Sequence, residues 1–371
     1  MRVLVAPDKF AGTLTAVEAA EAIAKGWRRT VPGDDVVTAP MADGGPGFVD
    51  VLHAATGGDL LAVTVRGPFE ARVPATLLLV GSRAFVESAQ ACGIALLPRQ
   101  GSAPVPGTVE DASTFGVGEL VAEALAAGAT EVVVGLGGTG TNDGGAGMLA
   151  ALGATSEPAG ALTAGVTGLN QLQSVDVDPA RDRLSGVDLV AATDVDNPLL
   201  GLRGATNVFG PQKGVAADRL IEVDGALTRF AHLAGRGPAD ARGAGAAGGL
   251  GYGLMLLGGR REPGFAAVAD AVGVAEAIRT AELVLTGEGK LDWQSMSGKV
   301  VSGIAALAAP AMRPCVVIAG SVQVGLRELR ANGIEAAYSV VDVVGADAAF
   351  GEPAESLAKV AARVARTWSR R

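Results

Sequence analysis

Short apolar runs that each end in a glycine-rich, charge-bearing loop constrain this chain more than any other feature. RVLVA (2–6) leads into PDKFAGT, DVVTAP (35–40) into MADGGPG, EVVVGL (131–136) into GGTGTNDGGAG, DLVAATD (188–194) into VDNPLLG, and ELVLTG (282–287) into EGKLDWQSMSGK. An apolar run bounded by turn residues suits a strand buried on both faces. After the first run, Thr15 and Glu18 form a capping box. Val17, Ala20, Ile23 and Trp27 then recur on one face, which predicts a helix to about Trp27. Strand, helix, strand is the opening of a parallel sheet covered by helices.

The middle of the chain departs from that pattern. Segments 60–66, 73–80 and 84–88 are strand-like, with Gly81-Ser82 as a hairpin turn. Val117, Leu120, Val121, Ala124 and Leu125 mark one helix, Leu220, Val223, Leu227 and Phe230 another, and MLAAL (148–152) a third. The polar, Gly/Ala-rich stretch 155–180 reads as loop. Strands return at PCVVIAG (314–320) and AAYSVV (336–341), alternating with a helix near 300–309. A closing helix carries Leu357, Val360, Val364 and Trp368. The expected fold class is α/β with two domains: residues 1–60 plus 281–371 build one, and a mixed α/β domain, 61–280, is inserted into it. No repeat of a solenoid period stands out.

Composition narrows the function classes. With 49% hydrophobic residues, disorder is excluded, and the 54 glycines follow no collagen period. Only 4% of residues are aromatic, so the core must be Ala, Val and Leu. A net charge of −9 leaves no basic footprint for nucleic acid and no attraction to anionic membranes. The uncharged stretch 243–259 is too rich in glycine to span a bilayer, and Pro7-Asp8 ends the first apolar run too early for a signal peptide. Cys92 and Cys315 lack metal or redox spacing and read as buried, reduced thiols of a cytoplasmic protein. His53 and His232 have no ligand-like surroundings, so zinc chemistry and a Ser-His-Asp system are not expected. Lysine is rare: Lys9, Lys25, Lys213, Lys290, Lys299 and Lys359 are the whole set.

Four of those lysines lie in the loops. Ligands of open α/β sheets bind beyond the carboxyl ends of strands, where glycines let backbone N–H groups approach phosphate oxygens. Lys9, Lys213, Lys290 and Lys299 would neutralise phosphate charge, while the loop carboxylates would hold Mg²⁺ or accept a substrate proton. Together these features read as phosphoryl transfer with a nucleotide. A single Gly-Gly after a strand is usually only a turn. GLGGTG (135–140) and GAGAAG (243–248) match a dinucleotide fingerprint, but without its acidic residue or its strand. An ordinary P-loop is absent. Asp194 and Asp196 would share a face of an extended run, suiting one metal site, or one base and one metal ligand. An Asx-turn or helix cap at Asp196-Asn197-Pro198 is the structural alternative. Glu87 reads equally as ligand contact or cap acceptor.

APDKF, ADGG, FGVGEL (115–120), GLGGTGTNDGGAGM, TDVDNPL with GPQKGV, GAGAAGGLG, and TGEGKLDWQ with GK, taken together, resemble the type-1 glycerate kinases, collinearly to about residue 320. The resemblance implies ATP- and Mg²⁺-dependent phosphorylation of D-glycerate, usually to 2-phosphoglycerate, within glycerate metabolism. It implies that one domain is flavodoxin- or Rossmann-like, with the site in the cleft between the domains. The partner is the small-molecule substrate, with no nucleic acid and no membrane; a homodimer is left open. The expected catalytic residues are Asp194, Lys9 and Lys299, and the expected metal ligands Asp194 and Asp196. Substrate and nucleotide would meet Asp8, Asp43, Gly44, Gly45, Glu87, Gly137, Gly138, Thr139, Asn142, Asp143, Lys213, Gly287, Glu288, Gly289, Asp292 and Gln294.

Three positions depart from the family pattern, all in expected cleft loops: Ala11 stands where lysine is usual, Pro46 where glutamate is usual, and Val117 where threonine is usual. Val301, where proline is common, is a smaller departure. Losing the lysine and the glutamate together would strand no charge. Additive effects on restoring both would sink that pairing. The alternative is a non-catalytic or altered-substrate paralogue that binds a nucleotide or small acid.

Overall fold

The first apolar run forms the strand Arg2–Val5, and its neighbours in space come from both ends of the chain. The computed structural model describes residues 1–296 and 299–369, with Gln294 described for its backbone alone. The chain divides into two units. Unit 1 is Met1–Asp43, Asp50–Thr56 and Phe265–Arg371; unit 2 is Gly44–Val49 and Gly57–Gly264.

Unit 1 holds a five-stranded sheet in the order Ile334–Ser339, Cys315–Val322, Leu283–Leu291, Arg2–Val5, Asp35–Thr38, with every pair parallel. Val3, Val5, Leu283, Leu285, Val316 and Ile318 are buried in one cluster with Ile23 and Trp27 of the helix Ala16–Thr30 and Leu357, Val360 and Val364 of the helix Pro353–Trp368. Thr15 and Glu18 form the reciprocal capping box that starts the first of these helices.

Unit 2 holds a six-stranded mixed sheet, Arg260–Glu262, Asp188–Ala192, Glu131–Gly135, Arg83–Glu87, Arg72–Val80, Asp59–Arg66. Its first four strands are parallel and its last two join as antiparallel hairpins. The α/β class expected from the sequence is thus the observed one, with a parallel sheet from the termini and a mixed sheet from the middle.

Three local expectations change. The strand Leu283–Leu291 runs straight through TGEGKL: Gly287 pairs with Ile318, Glu288 with Ala319 and Lys290 with Ser321. Glycine and charge break the apolar pattern there, while ladder hydrogen bonds need only the backbone. Stretch 155–180 is not loop. It carries an antiparallel ribbon, Thr155–Glu157 with Ser174–Asp176, and the helices Gly165–Leu169 and Asp178–Arg183. These elements are too short to print a period, and Leu162, Val166, Leu169 and Leu172 bury them in the core. The later junction falls at Gly264–Phe265 rather than near 280. The helix Val274–Thr280 therefore belongs to unit 1, where Val274 and Ile278 are buried, and a Cβ on Gly303 would lie 2.6 Å from the Phe265 ring.

Among the described residues no helix is long and apolar enough to cross a membrane. Cys92 and Cys315 are both buried and unbridged, and burial pushes each thiol up to about 12.

Candidate active site

In unit 1 the site residues gather where the central strands end. The Asp8 N–H donates to Gly287 O at 2.8 Å, which sets Asp8 beside the strand that carries Glu288. Met41 N–H donates to Pro7 O at 2.9 Å and brings in the segment that carries Asp43. Lys9 Nζ then lies 3.6 Å from Asp8 Oδ1 and 3.7 Å from Asp43 Oδ1. Lys290 pairs with Asp292 at 3.1 Å. Lys299 is half-buried at the start of the helix Val300–Ala308 and faces Glu288 electrostatically.

Glu288 is the least satisfied of these groups. Its Oε1 is buried without a hydrogen-bond partner. Burial pushes its carboxyl up to about 7, against the pull of a Ser295 hydrogen bond and of Lys299; Asp8 and Asp292 add to the rise. Burial likewise raises Asp8 to about 6, with Lys9 opposing. With Glu288 raised to about 7, that carboxyl is part-protonated at neutrality, which leaves this cluster less negative than its formula. Lys9 and Lys299 can then attract an anion such as phosphate. Gln294 falls in the turn Trp293–Met296, and its side chain is outside the described residues.

In unit 2 the glycine-rich loops close on one another instead. Gly47 N–H donates to Glu87 Oε2 at 3.0 Å, and Gly137 N–H to Gly44 O at 3.0 Å. A Cβ on Gly137 would lie 2.3 Å from Gly45 Cα, so that glycine is required by loop-on-loop contact. Of the expected cradle, the Gly137 N–H is thus taken by a protein acceptor rather than offered to phosphate. Glu87 is neither a helix cap, since it makes no side-chain cap bond, nor an open ligand; its carboxylate holds the 44–47 turn. Gly138 abuts the ring of Pro46, at 2.8 Å from its would-be Cβ.

The TNDGG turn is also closed, apart from one Asn142 oxygen. Asp143 is fully buried, and its carboxylate accepts from Thr114 N (2.8 Å), Thr114 Oγ1 (2.9 Å), Gly145 N (3.1 Å) and Gly147 N (3.2 Å). Asn142 Nδ2 donates to Thr206 Oγ1 at 2.9 Å, while its Oδ1 is buried without a partner. Lys213 is buried as well. Its Nζ donates to Thr141 O at 2.8 Å and Thr139 Oγ1 at 3.4 Å, and burial lowers its pKa to about 8. The structure therefore puts Lys213 and Asp143 to work holding the loop. Gly248, at φ +68, lies where a Cβ would sit 1.9 Å from Thr141 O, which gives GAGAAG a packing role in place of a dinucleotide turn.

The Asp194–Asp196 segment overturns two expectations. Thr193 N–H donates to Glu262 O at 2.9 Å, and the chain then leaves the sheet. Asp194 is half-buried. Asp196 is neither cap nor open metal ligand. Its Oδ1 lies 2.8 Å from an Arg261 nitrogen, its Oδ2 is hydrogen-bonded by Arg242, and these guanidinium groups hold its carboxyl below the usual range, the Arg242 bond first. A divalent cation would have to displace two cations already there. Among the described residues, no group of three or more His, Cys, Asp or Glu side chains is placed to hold a metal. The Asp194–Asp196 pair does not fit a magnesium cage.

The departures separate too. Val117 is fully buried in the helix Phe115–Ala126, not in a loop. Ala11 is exposed, with its N 3.1 Å from a would-be Cβ on Gly289, and Pro46 is exposed. Sequence reading missed Arg242, Arg261, Thr114 and Ser295. For the two arginines the signal was a cation beside a glycine run, in ARGAG and in GGRREPG.

Known proteins share this sequence pattern and fold. The profile of the glycerate kinase family matches residues 3–369. The glycerate kinase of Bacillus subtilis (strain 168) is 40% identical and spans 98% of this chain and 97% of its own. The glycerate 2-kinase of Escherichia coli (strain K12) is 38% identical, covering 99% and 98%. A solved structure given the name glycerate kinase 2, from Salmonella typhimurium LT2, superposes with a TM-score of 0.81 at 38% identity over 99% of this chain and 98% of that one. The chain belongs to the glycerate kinase family.

Proposed function

We propose that this chain phosphorylates D-glycerate with ATP as donor, giving 2-phosphoglycerate, in the cytoplasm. The observation that carries the reading is the lysine–carboxyl cluster of unit 1, in which Lys9 lies 3.6 Å from Asp8 and 3.7 Å from Asp43, and Lys299 acts on the buried, part-protonated Glu288. Phosphoryl transfer asks chiefly for positioning and charge stabilisation. Lys9 and Lys299 are assigned to the charge of the transferring phosphoryl group, and Asp194 of unit 2 to the proton of the attacking hydroxyl. Magnesium is read as travelling with the nucleotide, since it keeps waters and phosphates among its ligands. No pair in unit 2 is assigned to it.

Phosphorus NMR of a reaction of D-glycerate and ATP tests the proposal. A 2-phosphoglycerate resonance with stoichiometric ADP supports it, and a 3-phosphoglycerate resonance corrects the position. The exposed departures Ala11 and Pro46 motivate a second reading, a non-catalytic paralogue. Calorimetric binding of ATP with no phosphorylated product would favour it.

A further inference from the structure

We propose that Arg242 and Arg261, organised by Asp196, form the anchor for the carboxylate of the acceptor, a small hydroxy acid. The inference rests on the reading above and names which end of the substrate docks in unit 2. Two guanidinium groups converge on one carboxylate, so the cluster carries a net charge of about +1 and favours an anion. Each guanidinium has five N–H donors, far more than Asp196 can accept, and the Nε of Arg261 is buried without an acceptor. Arg242 keeps 76% of its side chain exposed, so a ligand can reach it.

The cluster is built rather than incidental. Arg261 lies in the strand Arg260–Glu262, paired in register with Ala191. A Cβ on Gly243 would lie 2.8 Å from Arg261 Cδ, so the backbone around Gly243 confines the arginine stem. Asp196 accepts from both guanidinium groups and keeps two like charges together; it is a positioning residue. The carboxyl ends of the strands are where open α/β sheets take ligands. Asp194, two residues before Asp196, is within about 7 Å along an extended chain, short enough for one small acid to meet both the arginines and Asp194. Charge matching favours a singly charged carboxylate here over a triphosphate.

Arg242→Gln, Arg261→Lys and Asp196→Asn test this by steady-state kinetics. Arg242 is exposed, so its variant should fold as the wild type does. The expected result is a rise in the KM for D-glycerate of about 10- to 100-fold in Arg242→Gln, the size of losing a charged hydrogen bond, with the KM for ATP unchanged. Preference for D-glycerate over glycerol, which lacks the carboxylate, should fall by the same factor. Arg261→Lys keeps the charge but loses the planar fork and should show a smaller rise. In Asp196→Asn the magnesium concentration for half-maximal rate should stay put while the KM for glycerate rises. A higher KM for ATP instead would make the cluster a phosphate site and overturn the proposal, as would an unmoved KM for glycerate. A shifted magnesium requirement in Asp196→Asn would restore the metal reading. If the wild type phosphorylates no glycerate, calorimetry with D-glycerate and L-lactate still decides: binding that Arg242→Gln abolishes supports the anchor, and no binding by the wild type overturns it.

Discussion

The polar loops of the two units are alike in sequence and opposite in physics. Both are rich in glycine, acids and a lysine. In unit 2 they are closed: Asp143 takes four donors, Lys213 donates to two acceptors, and Gly137 seats its N–H on Gly44. In unit 1 they hold tension. Lys9 sits at ion-pair distance from two carboxylates, Glu288 has a buried oxygen without a partner, and burial lifts both Asp8 and Glu288 toward neutrality. A closed network makes a rigid platform, whereas an unsatisfied one has free energy to gain from a ligand. The comparison makes unit 2 the more rigid, with the arginine pair and the unpartnered Asn142 Oδ1 as its open exceptions, and supports the proposal of phosphate chemistry in unit 1.

The sharpest way to break that contrast is Lys299→Ala. If unit 1 supplies charge to the transferring phosphoryl group, turnover should fall by about 10²–10³, the cost of removing one donor from a charge-stabilising site. Thermal unfolding should barely move, because Lys299 is only half-buried at a helix start and acts on Glu288 through its field. Near-normal turnover would remove the lysine from the mechanism.

Asp143→Ala asks the converse of unit 2. Its four donors would be left in a dry interior, and stability should drop by about 3 kcal/mol, read from the denaturant midpoint. If the variant were as stable as the wild type but lost ATP or glycerate binding, Asp143 would be a ligand and the platform reading would fail.

How far the sequence shows this contrast depends on what each residue type reports. The strands were legible because buried runs such as RVLVA and EVVVGL are apolar at every position, and Thr15 with Glu18 marks a helix start by hydrogen-bond chemistry. The extension of Leu283–Leu291 through Gly287 and Glu288 was not, since ladder bonds use the backbone and leave no side-chain trace. Within the site, Asp8, Lys9 and Asp43 lie in the loops that follow their strands, whereas Glu288 sits inside its strand. The sequence did not separate a glycine that admits a phosphate from one that admits another loop, as at Gly137 and Gly248. Nor did it show that Asp196 faces Arg242 and Arg261, residues far along the chain from it.

Glu288→Gln sharpens the unit 1 side. The folded carboxyl is raised from an ordinary 4.5 to about 7, so the unfolded chain gives up its proton first as pH rises. Wild-type stability from this group is therefore greatest below about 4.5, declines between about 4.5 and 7, and is level above that. The glutamine variant lacks this decline. Relative to the wild type it should gain on the order of 1–2 kcal/mol above pH 7, after allowing for partial solvent screening, and nothing below pH 4. Asp8, Asp292 and Lys299 still face the site in the variant, so any slope that persists belongs to them. Parallel stability curves for the two proteins would show that Glu288 is not under strain.

The smallest expected effect tests whether a departure from the family pattern belongs to the chemistry or to the platform. Val117 has no exposed surface and lies one turn from Thr114, whose N–H and hydroxyl both donate to Asp143. Val117→Thr restores the residue usual in relatives but places a hydroxyl in an apolar core. In a helix that hydroxyl can donate back to the carbonyl of Ser113 or Thr114, which offsets much of the desolvation. The net cost should be about 1 kcal/mol by chemical unfolding, with kcat and both KM values unchanged. A gain in activity without a loss of stability would instead show that the Thr114–Asp143 network transmits to the substrate, and the division between a rigid unit 2 and a reactive unit 1 would need redrawing at that helix.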